Sequence, residues 1–262
     1  MSHERAATGG VPGGAAPREA ASPAGDRPGT REAASREVRV LALEGLPEIR
    51  AGDDLASFVA EAARGAGLRH RDVVVVAHKV VSKAEGRVEP GVDRRAAALR
   101  ESARVLRRAG DMVISETRHG FVCANAGVDA SNVEGDHVVL LPVEPDGSAR
   151  RLRARLRHLT GMDVAVIVSD TFGRAWRLGQ TNVAIGVAGI EPFVDLRGTT
   201  DDQGRDLTAT RICVADEIAA AAEMVMGKTR RVPAAIVRGA PVTFGRGAAA
   251  EIVRPPGEDL FR

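Results

Sequence analysis

Apolar residues recur along this chain with two periods. Val38-Arg39-Val40-Leu41-Ala42-Leu43 alternates as a strand does, and Gly45-Leu46-Pro47-Glu48-Ile49 then breaks it with turn formers. Asp53 or Asp54 can cap a helix whose Leu55, Phe58, Val59 and Ala62 form one apolar face, with Gly65 and Gly67 as its stop. The run Val73-Val74-Val75-Val76 is short, β-branched and apolar on both sides, the pattern of a central strand covered on both faces; residues 164–168 repeat it. Between them the spacing of Leu99, Ala103 and Leu106 predicts a helix over 95–108 ended by Gly110, with short strands at 112–115 and 138–141. A strand over 181–187 follows, then a helix over 215–226 with Ile218, Ala221, Ala222 and Val225 inward and Gly227 at its exit, then a last strand over 234–237. Elements mixed without strict alternation predict an α/β or α+β fold, mixed sheets with covering helices, and not a simple doubly wound sheet.

Residues 1–36 carry Gly, Ala, Pro, Ser and charge with almost no large apolar side chain. Such a segment cannot bury enough surface to offset its ordering entropy, so it reads as a disordered tail. Residues 37–262 remain as the folded domain, in one body or two subdomains. With 44% hydrophobic but only 3% aromatic residues, the core falls to Val, Leu, Ile and Ala.

A formal net charge of +2 argues against an extended nucleic-acid footprint. The densest basic patch, over 150–157, has Leu152, Leu156 and Leu159 at helical spacing, so its arginines read as the wet side of an amphipathic helix rather than an anion site. Cys123 and Cys213 are too few for a zinc centre or a disulfide framework and read as buried thiols of a reducing compartment. No apolar run approaches the ~20 residues of a membrane span, and no signal-peptide segment opens the chain. A cytoplasmic protein without membrane partners is expected.

Three stretches carry candidate chemistry. In Ser169-Asp170-Thr171-Phe172-Gly173-Arg174, an acid stands at the exit of a buried strand, where ligand crevices form in open α/β sheets. Asp170 can bind a hard cation with a Thr171 oxygen beside it, or can cap a following helix. In Asn125-Ala126-Gly127-Val128-Asp129-Ala130-Ser131-Asn132, small residues let backbone approach a ligand while Asp129 and Asn132 supply polar groups; the alternative is a plain turn. In His78-Lys79-Val80-Val81-Ser82-Lys83, after the valine strand, Lys83 or Lys79 can place a point charge on phosphate, unless both are ordinary surface lysines. No Gly-x-x-x-x-Gly-Lys-Ser/Thr loop, Gly-x-Gly-x-x-Gly turn or nucleophile elbow is present, so nucleotide binding needs another cradle and covalent hydrolysis has little support.

These stretches, with Gly45-Leu46-Pro47-Glu48-Ile49 before them and Ala215-Asp216-Glu217-Ile218 and Val237-Arg238-Gly239 after, occur in the order of the coenzyme F420-0:γ-glutamyl ligase family, which the chain resembles from about Val38 onward. The resemblance implies a GTP-dependent ligase adding L-glutamate to F420-0, then to its product. It would use Mg²⁺ or Mn²⁺, with K⁺ a further candidate, and form an intertwined homodimer of family-specific fold. By the same likeness Leu46, Pro47, Glu48, Ile49, Lys83 and Asn132 would line the GTP site, with a further contact at Met226, Gly227 and Lys228. Asp129, Asp170 and Thr171 would hold the metal, and Asp129, Asp170 and Lys83 would carry catalysis. Relatives often have serine where this chain has His78, whose ring can still donate a hydrogen bond there. Some actinobacterial relatives continue into a flavin-binding reductase domain; this chain stops at Arg262, so that activity is not expected.

The expected reaction activates a carboxylate of F420-0 as an acyl phosphate, which the glutamate amine then attacks. Arg174 and Arg177 are available for the glutamate carboxylates. Rival readings are a metal-dependent phosphohydrolase using the same aspartates and a non-catalytic nucleotide-binding module.

Overall fold

The computed structural model describes residues 37–131 and 135–259, so the expected tail over 1–36 and the candidate Asn132 lie outside the described residues. The first half of the chain runs β1 (Arg39–Leu43), α1 (Leu55–Gly65), β2 (Val73–Ala77), α2 (His78–Ala84), β3 (Val88–Pro90), α3 (Arg94–Glu101), β4 (Ser102–Ala109), β5 (Met112–Thr117), β6 (Val122–Ala124) and β7 (His137–Val139). The second half runs α4 (Pro145–Thr160), β8 (Ala165–Arg174), β9 (Arg177–Ala188), β10 (Val194–Asp195), β11 (Arg211–Ile212), α5 (Val214–Met226) and β12 (Ala234–Arg238). The mixed α/β fold class is the one the periodicities predict.

The centre is a five-stranded sheet in the order β1-β12-β2-β8-β9, in which only β2 and β8 run parallel. Its alternation sorts side chains into two dry layers. Val74, Val76, Val166, Val168 and Ile236 face α1 and α4, while Val73, Val75, Ile167, Val187 and Val237 face α5. Each such chain segment is apolar on both sides because both faces of the sheet are covered. Asp54 caps α1, its carboxylate accepting from the Ser57 amide. The helix over the 150–157 patch is α4, with Leu152 and Leu156 buried.

The predicted helix over 95–108 is half wrong. Helix α3 stops at Glu101, and residues Ser102–Ala109 form β4, paired antiparallel with β5 around Gly110. Ala, Arg and Leu favour helix locally, but the backbone partners offered by β5 win. Ala103 is exposed and Leu106 only half-buried, so the helical face inferred from them does not exist. Asp170 caps no helix, since β8 continues through it into a long hairpin with β9. Cys123 is buried as expected, but Cys213 is only half-buried. Among the described residues no helix is long and apolar enough to cross a membrane.

Val237-Arg238-Gly239 turns out to be structural. Arg238 forks onto the buried Asp72 carboxylate at 2.7 and 2.8 Å, tying β12 to the start of β2. Gly239 has φ +80°, and a Cβ there would lie 2.3 Å from the Glu37 carbonyl oxygen.

Candidate functional site

Register places the first pair of site residues. Ala77 of β2 lies opposite Ser169 of β8 in the parallel pair, so the next residues, His78 and Asp170, emerge side by side. His78 opens α2 and is 3% exposed; its Nε2 stands 3.1 Å from Asp170 Oδ1, and its Nδ1 is buried without a hydrogen-bond partner. The Thr171 amide also donates to Asp170 Oδ1, at 2.6 Å.

Asp129 arrives from the opposite wall. Asn125, Ala126 and Gly127 all have positive φ, and a Cβ on Gly127 would fall within 2.8 Å of the Leu141 side chain, so glycine is required there. After this turn Asp129 exchanges two backbone hydrogen bonds with Val139, at 3.0 and 2.7 Å. Its carboxylate accepts from the Ser131 amide at 2.6 Å and meets Lys79 Nζ at 2.8 Å. Burial pushes the Asp129 carboxyl up, but the Lys79 ammonium and the Ser131 amide pull harder, and the net direction is below its ordinary value.

Two ligand-sized cavities meet here. The first, about 420 Å³, is walled by the 46–49 loop, by His78, Lys79 and Lys83 of α2, and by Met226, Gly227 and Lys228 beyond α5. Lys83 Nζ is 2.5 Å from Glu48 Oε1, which joins the loop to α2. The second cavity, about 500 Å³, is lined by Asp129, Ser131, Arg94, Cys123 and Gln180. Asp170, Thr171, Lys228 and Thr229 line both, so they form the threshold between the two. Asp129 and Asp170 therefore face one open space, although among the described residues no group of three or more His, Cys, Asp or Glu side chains is assembled for a metal. The Cys123 thiol is pushed up to about 12 by burial and then by the Asp170 charge, so it is no nucleophile near neutrality.

Arg174 and Arg177, suggested for the glutamate carboxylates, do not reach this space. Both are exposed near the end of the β8–β9 hairpin, where Arg174 donates to the Leu178 carbonyl at 3.2 Å. The cavity instead offers Arg94, whose Nε donates to the Val128 carbonyl at 3.4 Å.

A polar chain across β9 and α5 escaped the sequence reading. The Thr171 hydroxyl donates to Asn182 Oδ1 at 2.6 Å, and Asn182 Nδ2 donates to Glu223 Oε2 at 3.0 Å. Lys228 donates to the same Thr171 hydroxyl. The available signal was Asn182 itself, a polar side chain inside an apolar strand and only 3% exposed.

Cavities at the carboxyl ends of the strands of an α/β sheet stand where proteins of this architecture bind small molecules. The chain belongs to the F420-0:Gamma-glutamyl ligase family, whose model matches residues 45–96 and 88–239. The coenzyme F420:L-glutamate ligase of Methanothermobacter thermautotrophicus is 42% identical over 251 residues, covering 86% of this chain and 99% of that protein. The protein of the same name from Methanopyrus kandleri is 43% identical over 249 residues, with coverage of 85% and 98%. That from Archaeoglobus fulgidus is 42% identical over 245 residues, with coverage of 86% and 96%.

Proposed function

We propose that residues 37–262 form a GTP-dependent ligase that adds L-glutamate to coenzyme F420-0, and further γ-linked glutamates to the product. The observation that supports this most is the first cavity. It gathers the 46–49 loop, His78, Lys83, Asp170, Thr171 and Met226 to Lys228 from four distant segments around one space of about 420 Å³. Lys79, Lys83, Lys228 and Arg231 line that space and offer cationic partners for phosphate oxygens, beside the carboxylates of Glu48, Asp170 and Glu223. Leu46, Pro47 and Ile49 offer an apolar wall for a base. The sequence relatives, all named as coenzyme F420:L-glutamate ligases, favour the same reading.

The carboxylates Asp129 and Asp170 fit a hard divalent ion, Mg²⁺ or Mn²⁺, which is content with one or two carboxylates plus substrate phosphates and water. When bound, such an ion would neutralise phosphate charge. K⁺ is a further candidate whose site the residues do not suggest.

In the reading proposed, Lys83 holds the phosphate tail in the first cavity while the acceptor carboxylate enters from the second. An oxygen of that carboxylate attacks the γ-phosphorus, the bond to the β,γ-bridging oxygen breaks, and GDP leaves with the electron pair. The glutamate amine then attacks the acyl carbon, phosphate departs, and the amine gives up a proton as the amide forms. Positioning and charge carry such a transfer. Arg94 is the candidate for a glutamate carboxylate.

The test is GDP formation with each substrate omitted in turn. The ligase requires GTP, F420-0 and L-glutamate together. Phosphate release without glutamate would favour a phosphohydrolase, and GTP binding without turnover a nucleotide-binding module. The expected homodimer is read by sedimentation; a monomer during turnover would remove it from the proposal.

A further inference from the structure

Lys79 lines one cavity and grips the wall of the other. It stands in the first turn of α2, beside the first cavity, yet its ammonium reaches the segment that lines the second. There it meets Asp129 Oδ2 at 2.8 Å and donates to the Ser131 hydroxyl at 2.6 Å and the Ser131 carbonyl at 3.2 Å. An ammonium has three protons, and these three oxygens can take all of them. With its side chain only 15% exposed, Lys79 is not an ordinary surface lysine.

Both oxygens of Asp129 are thereby occupied. Oδ1 accepts from the Ser131 amide at 2.6 Å, and Oδ2 has the ammonium. The amide is backbone of the same turn, whereas Lys79 hangs on a flexible four-carbon stem, so Lys79 is the partner that can give way. Once displaced, a mostly buried ammonium is disfavoured unless it finds another anion. The first cavity, which Lys79 already lines, is where the ligase reading puts the phosphates.

Resting on that reading, we propose that Lys79 is a phosphate-binding residue held back by Asp129. Before nucleotide binds, its ammonium covers the carboxylate; when nucleotide enters, the ammonium turns to a phosphate oxygen and bares Asp129 for the divalent ion. Nucleotide and ion are thus coupled through one side chain, each favouring the other by the same factor. No covalent bond changes and the ammonium keeps its three protons, so the transfer described above is unaltered. Lys83 carries the same charge one turn along α2 but meets Glu48, on the loop of the first cavity, and it provides the comparison.

The experiment titrates Mn²⁺ into the full-length protein and reads the free ion by electron paramagnetic resonance, first without nucleotide and then with a saturating non-hydrolysable GTP analogue. Without nucleotide, Lys79→Met should bind Mn²⁺ about fivefold tighter than wild type, because Asp129 is bare from the start. Lys79→Gln, equally neutral, should match it and guards against a fold lost in one variant. Lys83→Met removes the same charge from α2 and should stay within about twofold of wild type. With the analogue present, the strengthening of Mn²⁺ binding should be about fivefold smaller in Lys79→Met than in wild type. Equal nucleotide-free affinity in wild type and the Lys79 variants, or Lys83→Met tightening Mn²⁺ binding as much as Lys79→Met, would overturn the proposal. The analogue separates the two readings. Nucleotide bound while Lys79→Met leaves Mn²⁺ affinity unchanged removes only the role of Lys79; no nucleotide bound at any Mn²⁺ concentration removes the ligase reading and this role with it.

Discussion

The two carboxylates facing the second cavity stand on opposite kinds of ground. Asp170 extends from a strand whose first five residues are buried and whose neighbours on either side belong to the central sheet. Asp129 follows a turn of left-handed residues and is fixed by a single two-hydrogen-bond bridge to Val139, in a region whose own core is the small cluster around Val113, Val128 and Leu140. The first region is over-determined by packing; the second is held by a few local devices. A site that joins the two has one wall set in the main core and another held by local contacts, and local opening is expected first in the second.

Mutations can break or sharpen this contrast. The largest effect should come from Ile167→Ala, which empties a fully buried position in the central sheet; a loss of about 2–5 kcal/mol is expected from denaturant unfolding. A loss under ~1 kcal/mol would show that the sheet is not the rigid half. Next, Asp170→Asn should cut turnover at least tenfold, more than about 1.4 kcal/mol in barrier, with the fold intact by circular dichroism. Activity within twofold of wild type would remove Asp170 from the ion site.

Leu106→Ala, at a half-buried position of β4, should cost no more than about 1 kcal/mol, measured in the same unfolding series. A cost as large as that of Ile167→Ala would abolish the contrast.

The smallest effect concerns acid. The folded-state value of Asp129 lies below its ordinary one, so the stabilisation from Lys79 is full above the unfolded value of about 3.9 and fades as pH falls through the folded value. Lys79→Met should therefore lower the unfolding free energy from urea titration at pH 7 by about 1 kcal/mol or less for this half-buried pair, and by less still at pH 3. Equal deficits at both pH values would reject the pairing.

The same contrast explains what could be read from the chain alone. Val73 to Val76 and residues 164–168 announce buried strands because burial on both faces leaves no polar positions, and α1, α4 and α5 keep clean apolar stripes. Residues 102–108 were misread because local preference and partner disagree, and only the folded protein reveals β5 as the partner. At the site, Asp170, Thr171 and the 46–49 loop were legible as motifs. The Thr171–Asn182 contact was not, since it depends on the hairpin register that sets those two residues opposite each other. The exposure of Arg174 and Arg177 has the same origin: the β8–β9 hairpin leaves the core after Ser169 and places both near its exposed end.

The side-by-side ending of β2 and β8 makes length, more than chemistry, the property these strands must keep. Removing one residue between Ala165 and Ser169 would leave an apolar strand that still packs, yet it would bring the carboxylate of Asp170 to the opposite side of the pleat and out of step with His78. A deletion scan should therefore find these strands tolerant of Val, Ile and Ala exchanges but intolerant of any change in residue count, with the penalty falling abruptly in the loops beyond.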